Sequence, residues 1–240
     1  MAVKPYKDSA GSKKQQVEMM FDNISHRYDF LNHFLSLSLD KWWRKRAIRE
    51  LAEERVREML DVATGTGDMV AAALKLKPDH IVGIDLSEGM LEIARKKEHL
   101  QSSKVSVEFL KGDSEDLPFA DHSFDAVTVA FGVRNFEDPL KGLSEINRVL
   151  RPGKKLVVLE FSKPDQFPMK QMYNFYFKRI LPLFGKMISK DQEAYTYLPE
   201  SVLNFPEKED FIGLMKKAGF RESKYKRLTS GIVSIYTGVK

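Results

Sequence analysis

Apolar residues fall along this chain in two rhythms. From Val17 to Phe34 they recur at three- and four-residue steps (Val17, Met20, Phe21, Ile24, Tyr28, Leu31, Phe34), the stripe of an amphipathic helix over 17–35. A further helix is predicted over roughly 41–53. From Arg57 to Phe161 the pattern changes to short unbroken apolar runs separated by helical stretches. Strands are predicted near 57–62, 81–85, 104–110, 123–130 and 154–161, and helices near 68–77, 88–100 and 138–150. Asp138-Pro139 supplies a capping side chain and a preset φ for the last helix. Strands with helices between them imply parallel neighbours in a sheet covered on both faces.

Residues 162–205 interrupt the alternation. Met169, Met172, Tyr173, Tyr176, Phe177, Ile180 and Leu181 lie on one helical stripe that Pro182 stops. Such a helix can pack on the core, or it can wall an apolar substrate site, and both readings stay open. Regular structure returns with a helix from Pro206 to Ala218, carrying Phe211, Leu214 and Met215 inward and stopped by Gly219. Two β runs over 220–228 and 231–238, joined by Thr229-Ser230, form a hairpin at one sheet edge. The expected fold is α/β: a doubly wound, mainly parallel, seven-stranded Rossmann-like sheet with a C-terminal antiparallel hairpin and helical N-terminal and insertion segments. The expected division of a single domain is 1–55 as a helical cover, 56–161 as a ligand-binding core, 162–205 as an insertion and 206–240 as the closing helix and hairpin. Residues 1–16 are polar and predict a mobile start.

The chemistry collects where strands end. Leu60-Asp61-Val62-Ala63-Thr64-Gly65-Thr66-Gly67-Asp68 is an apolar run, an acid and a Gly-x-Gly turn that opens a helix. Without Cβ atoms, Gly65 and Gly67 allow a tight turn and a close ligand. Asp85 closes the next apolar run twenty positions after Gly65, where an acid that binds a ribose is expected. Asp113-Ser114 closes the third, where a carboxylate can accept from an adenine amino group. A dinucleotide site would want a third glycine where Val70 stands, and bare amides for its pyrophosphate where Asp68 stands. Carboxylates suit a cationic ligand instead, and S-adenosylmethionine carries an ammonium and a sulfonium without phosphate.

Composition narrows the class. The chain has 240 residues, 42% hydrophobic and 30% charged, as in globular proteins. No cysteine is present, which removes disulfides, thiolate metal sites and cysteine nucleophiles. The five histidines show no ligand spacing, so no metal is expected. The first residues lack a signal peptide's apolar core, and no apolar run is long enough to span a bilayer. A net charge of +5 is mild and its Lys and Arg are spread out, against a nucleic-acid partner. Lys41-Trp42-Trp43-Arg44-Lys45-Arg46 reads as a solvated helix face with two partly buried indoles; contact with a membrane interface is the alternative.

Taken together, these residues resemble a class I S-adenosylmethionine-dependent methyltransferase, and more narrowly the ubiquinone/menaquinone-biosynthesis C-methyltransferase family. Phe131-Gly132-Val133-Arg134-Asn135 and Tyr195-Thr196-Tyr197-Leu198-Pro199-Glu200-Ser201 carry the narrower likeness; Arg151-Pro152-Gly153 and Leu159-Glu160-Phe161-Ser162 extend the match, and the glycine turn and Leu117-Pro118-Phe119 are shared by many methyltransferases. Members often have Ser where Ala130 stands, so only its backbone is expected to meet the cofactor. The resemblance implies S-adenosylmethionine bound by Asp61, Gly65, Thr66, Gly67, Asp85, Asp113, Ser114 and Ala130, covered by the first helices around Phe21 and Tyr28. It implies methyl transfer to a ring carbon of a prenylated quinol, 2-demethylmenaquinol or a related benzoquinol. Arg134 would stabilise a phenolate or orient a water, and Asn135 would hydrogen-bond a quinol oxygen, with Tyr195, Tyr197 and Glu200 as secondary candidates. Phe167, Met172, Phe175, Tyr176 and Phe184 would take the tail. A cytoplasmic enzyme touching the inner membrane face in passing is expected, and association as a homodimer stays open. A methyltransferase for another small acceptor, or for RNA, is the competing reading.

Overall fold

A computed structural model describes residues 3–6, 10–176, 179 and 192–240, except for the side chains of residues 27, 30, 31, 34, 35, 174 and 192–196. The described residues form a seven-stranded sheet: β1 (Glu58–Val62), β2 (His80–Asp85), β3 (Ser106–Lys111), β4 (Phe124–Ala130), β5 (Leu150–Phe161), β6 (Arg221–Leu228) and β7 (Val233–Val239), in the order β3-β2-β1-β4-β5-β7-β6. The first five are mutually parallel, and β7 runs antiparallel to β5 and β6. This is the predicted doubly wound sheet with its terminal hairpin. Its strand order reverses between β1 and β4, the place where such sheets open a crevice.

Successive residues of each inner strand feed opposite cores. Leu60, Val62, Val82 and Ile84 pack in one cluster with Leu143, Ile146, Phe211 and Met215. Met59, Ile81 and Ala126 pack in the other with Val70, Leu91 and Trp43. Helices supply the far side of each: α1 (Lys13–Leu35), α2 (Leu39–Arg49), α3 (Asp68–Ala73), α4 (Glu88–Arg95), the short α5 (Glu98–Gln101), α6 (Pro139–Val149), α7 (Met169–Phe175), α8 (Gln192–Asn204) and α9 (Glu209–Lys217). Asp138 caps α6 as its position predicts, accepting from the backbone N–H of Leu140 at 2.9 Å and of Lys141 at 3.1 Å.

Three local expectations change. The helix expected from 17 begins at Lys13, and the chain before residue 17 is no free tail: Pro5, Lys13 and Gln16 are buried, and the Tyr6 N–H donates to Gln16 Oε1 at 3.0 Å. The helix expected over 88–100 breaks into α4 and α5 at Lys97, whose ammonium meets carboxylates on α1 and α3. The helix expected over 68–77 ends its α part at Ala73 and tightens into a single 3₁₀ turn before Lys77, which takes positive φ. Phe177, Ile180, Leu181, Pro182 and Phe184 of the insertion lie outside the described residues. No helix among the described residues is long and apolar enough to cross a membrane.

Candidate functional site

The carboxyl ends of β1, β2 and β4 turn sharply. Ala63 and Phe131, non-glycine residues just past β1 and β4, both hold positive φ, a conformation costing on the order of 1–2 kcal/mol each. Gly132 makes their approach feasible: a Cβ there would stand 2.6 Å from the Cβ of Ala63. Between the two turns Gly65, with φ of +55°, has open space where a Cβ would point. These turns, with the ends of β2 and β3, frame a narrow cleft of about 70 Å³.

Asp85 lies on its floor. Its carboxylate accepts from the Gly65 N–H at 2.8 Å and the Ser87 N–H at 2.9 Å, tying the glycine turn to the end of β2. Burial pushes its pKa up, against the pull of those amides. α1 closes the cleft from above. Its Asp22 accepts from the Ser87 hydroxyl at 2.6 Å and the Gly89 N–H at 3.0 Å, at the start of α4. Lys14 pairs with Asp113 and lies 3.7 Å from Glu115. Lys13 is buried and donates to the carbonyls of Arg134 at 3.0 Å and Phe136 at 2.6 Å. Burial brings its pKa down to about 8.

Gly65, Asp85, Asp113, Ser114, Ala130 and Tyr28 line this cleft; Asp61, Thr66 and Gly67 do not. Asp61 is 1% exposed beneath the glycine turn, where its oxygens accept from Thr64 Oγ1 at 2.7 Å and Thr128 Oγ1 at 2.6 Å. Burial raises its pKa to about 6, although both hydroxyls pull the other way. The Thr66 hydroxyl donates to Asp29 and accepts a hydrogen bond from Lys97 Nζ at 3.2 Å. Gly67, with φ of +80°, is packed against Leu100 and Phe109. Asp68 is also engaged within the protein: burial alone would raise its pKa, but Arg44 and Lys97 outweigh it and hold it low. Asp61 and Asp68, expected from the sequence to face a cationic ligand, are instead bonded within the protein and stand off the cleft lining. The acidity of the cleft comes instead from Glu18, Asp85, Asp113, Glu115 and Glu137, with Lys14 as the cation among the described lining residues. That donor set fits a phosphate-free, positively charged adenosyl compound and disfavours a pyrophosphate.

A second cavity of about 380 Å³ opens beside the first. Its walls come from α1, the α1–α2 turn, α2, the ends of β4 and β5, α7 and α8, and they are mostly apolar. Phe21, Tyr28, Phe131 and Asn135 line both spaces, so these residues form the partition. Arg134 lines the larger one. Its Nη1 donates to Glu160 Oε1 at 2.7 Å and to the Phe131 carbonyl, its carbon lies 5.4 Å over the Phe161 ring, and its buried Nε–H has no partner among the described residues. Arg44 lies 5.6 Å over Phe131, which stacks on Phe161 with centroids 4.6 Å apart. Each ring of the pair thus has a guanidinium over it. Burial raises Glu160, with the Arg134 charge opposing it.

Tyr197 enters the same cavity and donates to Asn135 Oδ1 at 3.1 Å; burial pushes its phenol up to about 12. Glu200 is half-buried off the lining, and the Tyr195 side chain lies outside the described residues. Of the expected tail groove, Met172 and Tyr176 line the cavity. Phe167 and Phe175 do not line it and are 82% and 61% exposed. Sequence reasoning missed Lys13, Lys14, Asp40 and Glu160. Only Glu160 left a signal, as an acid at the end of an apolar strand run.

Residues 9–240 match the ubiE/COQ5 methyltransferase family. A demethylmenaquinone methyltransferase from Bacteroides fragilis is 47% identical over 239 residues, covering 99% of this chain and 97% of that protein. A ubiquinone/menaquinone biosynthesis C-methyltransferase from Geotalea daltonii is 42% identical, covering 95% of this chain and 97% of that one. Among solved structures, a SAM-dependent methyltransferase from Thermotoga maritima superposes with a TM-score of 0.63 at 26% identity, covering 92% of this chain and 99% of that one.

Proposed function

The chain belongs to the ubiE/COQ5 methyltransferase family, and we infer that its two joined cavities serve transfer of a methyl group from S-adenosylmethionine to a ring carbon of 2-demethylmenaquinol, giving menaquinol. The observation that carries this reading is the shared partition of Phe21, Tyr28, Phe131 and Asn135 between a narrow acidic cleft and a large apolar cavity. A donor in one and an acceptor in the other would meet across that partition.

The cofactor supplies an electrophilic methyl on a sulfonium. Asp85, already oriented by two amides, offers its remaining lone pairs to ribose hydroxyls. Asp113 and Ser114 face the adenine end, where Lys14 shares the Asp113 carboxylate. Asp61, Thr66 and Gly67 shape the turn from below and behind. Alignment of acceptor carbon and methyl is the main contribution expected of such a site, because a positioned pair reacts as one molecule. An aromatic carbon is a weak nucleophile until a neighbouring hydroxyl loses its proton. Arg134 provides a fixed positive charge for the resulting oxyanion, and Glu160 fixes Arg134. Arg134 itself is no base, since guanidinium keeps its proton. Asn135, held by Tyr197, hydrogen-bonds a quinol oxygen.

The prenyl tail brings the acceptor from a bilayer. Leu37 and Leu39 at the mouth of the large cavity are 82% and 40% exposed, Met172 is 60% exposed, and Trp42 beside them is 46% exposed. Lys41, Lys45 and Arg46 neighbour them on α2. An apolar rim with basic residues suits transient contact with an anionic membrane surface.

Purified protein given S-adenosylmethionine and short-tailed 2-demethylmenaquinol should form menaquinol, read by mass as the gain of one methylene unit. The polyprenyl methoxy-benzoquinol belongs in a parallel reaction, since the Geotalea daltonii relative carries both quinones in its name. No methylated product from either quinol would overturn the reading.

A further inference from the structure

We propose that Asp40, backed by His33, takes the proton from the quinol hydroxyl, an inference that rests on the larger cavity being the quinol site. The activation step needs a base in contact with the acceptor. Among the described lining residues the titratable groups are four tyrosines, two arginines and Asp40. Burial lifts the phenols of Tyr28, Tyr173, Tyr176 and Tyr197 above their ordinary range, so at neutral pH they hold their protons. Arg44 and Arg134 are always protonated. Asp40 is the one carboxylate on these described walls, and therefore the one group there that is a base at neutral pH.

Its surroundings are built. Asp40 is 3% exposed; its Oδ1 accepts from Ser36 Oγ at 2.7 Å, and its Oδ2 meets Arg44 and lies 2.8 Å from His33 Nδ1. His33 stands on α1 and Arg44 on α2. Behind them Asp68 on α3 lies 3.7 Å from both His33 Nε2 and Arg44 Nη2, and Lys97 at the α4–α5 break bridges Asp68 at 2.7 Å and Asp29 at 2.8 Å. The carboxylates of this cluster are thus met by protein cations. Arg44 also lies over Phe131, which places the cluster beside the partition.

Burial alone would raise Asp40, but Ser36 and Arg44 outweigh it and hold the carboxyl below its usual range. His33 Nδ1, 2.8 Å from that carboxylate, donates its N–H to Oδ2 and holds Asp40 in place, so the quinol proton rests on the carboxyl only while the methyl is transferred. The quinol O–H bond breaks and its electron pair stays on oxygen. The ring carbon uses that density to form the C–CH3 bond while the S–CH3 pair returns to sulfur. The ring carbon's own proton moves to the oxygen and restores the aromatic quinol. One proton per turnover is left on Asp40, which returns it to water when the product leaves the cavity.

The test compares Asp40→Asn, Asp40→Glu and His33→Gln with wild type on short-tailed demethylmenaquinol, alongside calorimetry of S-adenosylmethionine. Asp40→Asn should lose about 100-fold or more in kcat, the scale of general-base catalysis, with cofactor affinity kept. His33→Gln keeps a donor toward Asp40 and should lose no more than about tenfold in kcat. Asp40→Glu keeps a carboxylate and should recover turnover that Asp40→Asn lacks. Wild-type turnover in Asp40→Asn, or a loss in Asp40→Glu as large as in Asp40→Asn, overturns the proposal. Should Asp40→Asn fail to fold, Asp40→Glu decides alone, and a loss of about 100-fold there overturns it. A wild-type protein that binds the cofactor but leaves the quinol unmethylated sinks the quinol reading itself, so the two failures are distinguishable.

Discussion

Arg134 Nη1 donates to Glu160 Oε1 across 2.7 Å at a site where their side chains are 6% and 0% exposed. The pair joins the turn after β4 to the end of β5. Removing one partner of a buried pair strands the other's charge, at a cost of about 3–5 kcal/mol. Glu160→Ala should therefore lower the melting temperature markedly. Glu160→Gln keeps an acceptor for the guanidinium and should melt closer to wild type, yet lose turnover because the charge that orients Arg134 is gone. Differential scanning calorimetry with steady-state kinetics on both variants checks this; equal melting temperatures for the two would refute it.

Asp85 is held by the amides of Gly65 and Ser87 before any ligand arrives. A hydrogen bond to a charged acceptor contributes about 1.5–3 kcal/mol, so Asp85→Asn should weaken S-adenosylmethionine by about 10- to 100-fold. Isothermal titration calorimetry measures it. Unchanged affinity would remove the ribose assignment.

Asp61 gives a pH dependence with a definite sign. Its folded-state pKa of about 6 lies above its unfolded value, so the neutral acid is favoured by folding. The associated stability is fully present below the unfolded pKa and is lost as pH rises through about 6. Asp61→Asn mimics the neutral form. The stability difference between variant and wild type should shift in the variant's favour by about 3 kcal/mol at most between acidic and neutral pH. Urea melts at a series of pH values test this, and a difference independent of pH would contradict it.

The rim of the large cavity predicts lipid binding. Leu37→Ser with Trp42→Ser should reduce co-sedimentation with phosphatidylglycerol vesicles by about tenfold, while turnover on a water-soluble quinol is retained. Equal partition of wild type onto phosphatidylcholine vesicles would remove the role of the basic residues.

Much of the fold was legible in the sequence because the inner strands are buried on both faces and therefore read as unbroken apolar runs. Asp85 and Asp113 could be found because each ends such a run. What the runs do not encode is pairing between side chains far apart in the chain. Asp68 looked like a ligand for a cation, but Lys97 and Arg44 already neutralise it. Asp61 looked like a cleft residue, but Thr64 and Thr128 turn it inward. Lys13 read as part of a polar tail, although its ammonium finds two carbonyls more than a hundred positions away. Asp40 sat within a basic, tryptophan-rich stretch whose neighbours on α1 and α3 cannot be inferred from spacing.

Because Phe21, Tyr28, Phe131 and Asn135 serve both chambers, a change at any of these four remodels both specificities at once. Inhibitors shaped for the lipid-facing chamber should register in titrations of the adenosyl ligand, and lineages that switch head group should retune their affinity for the methyl donor in step.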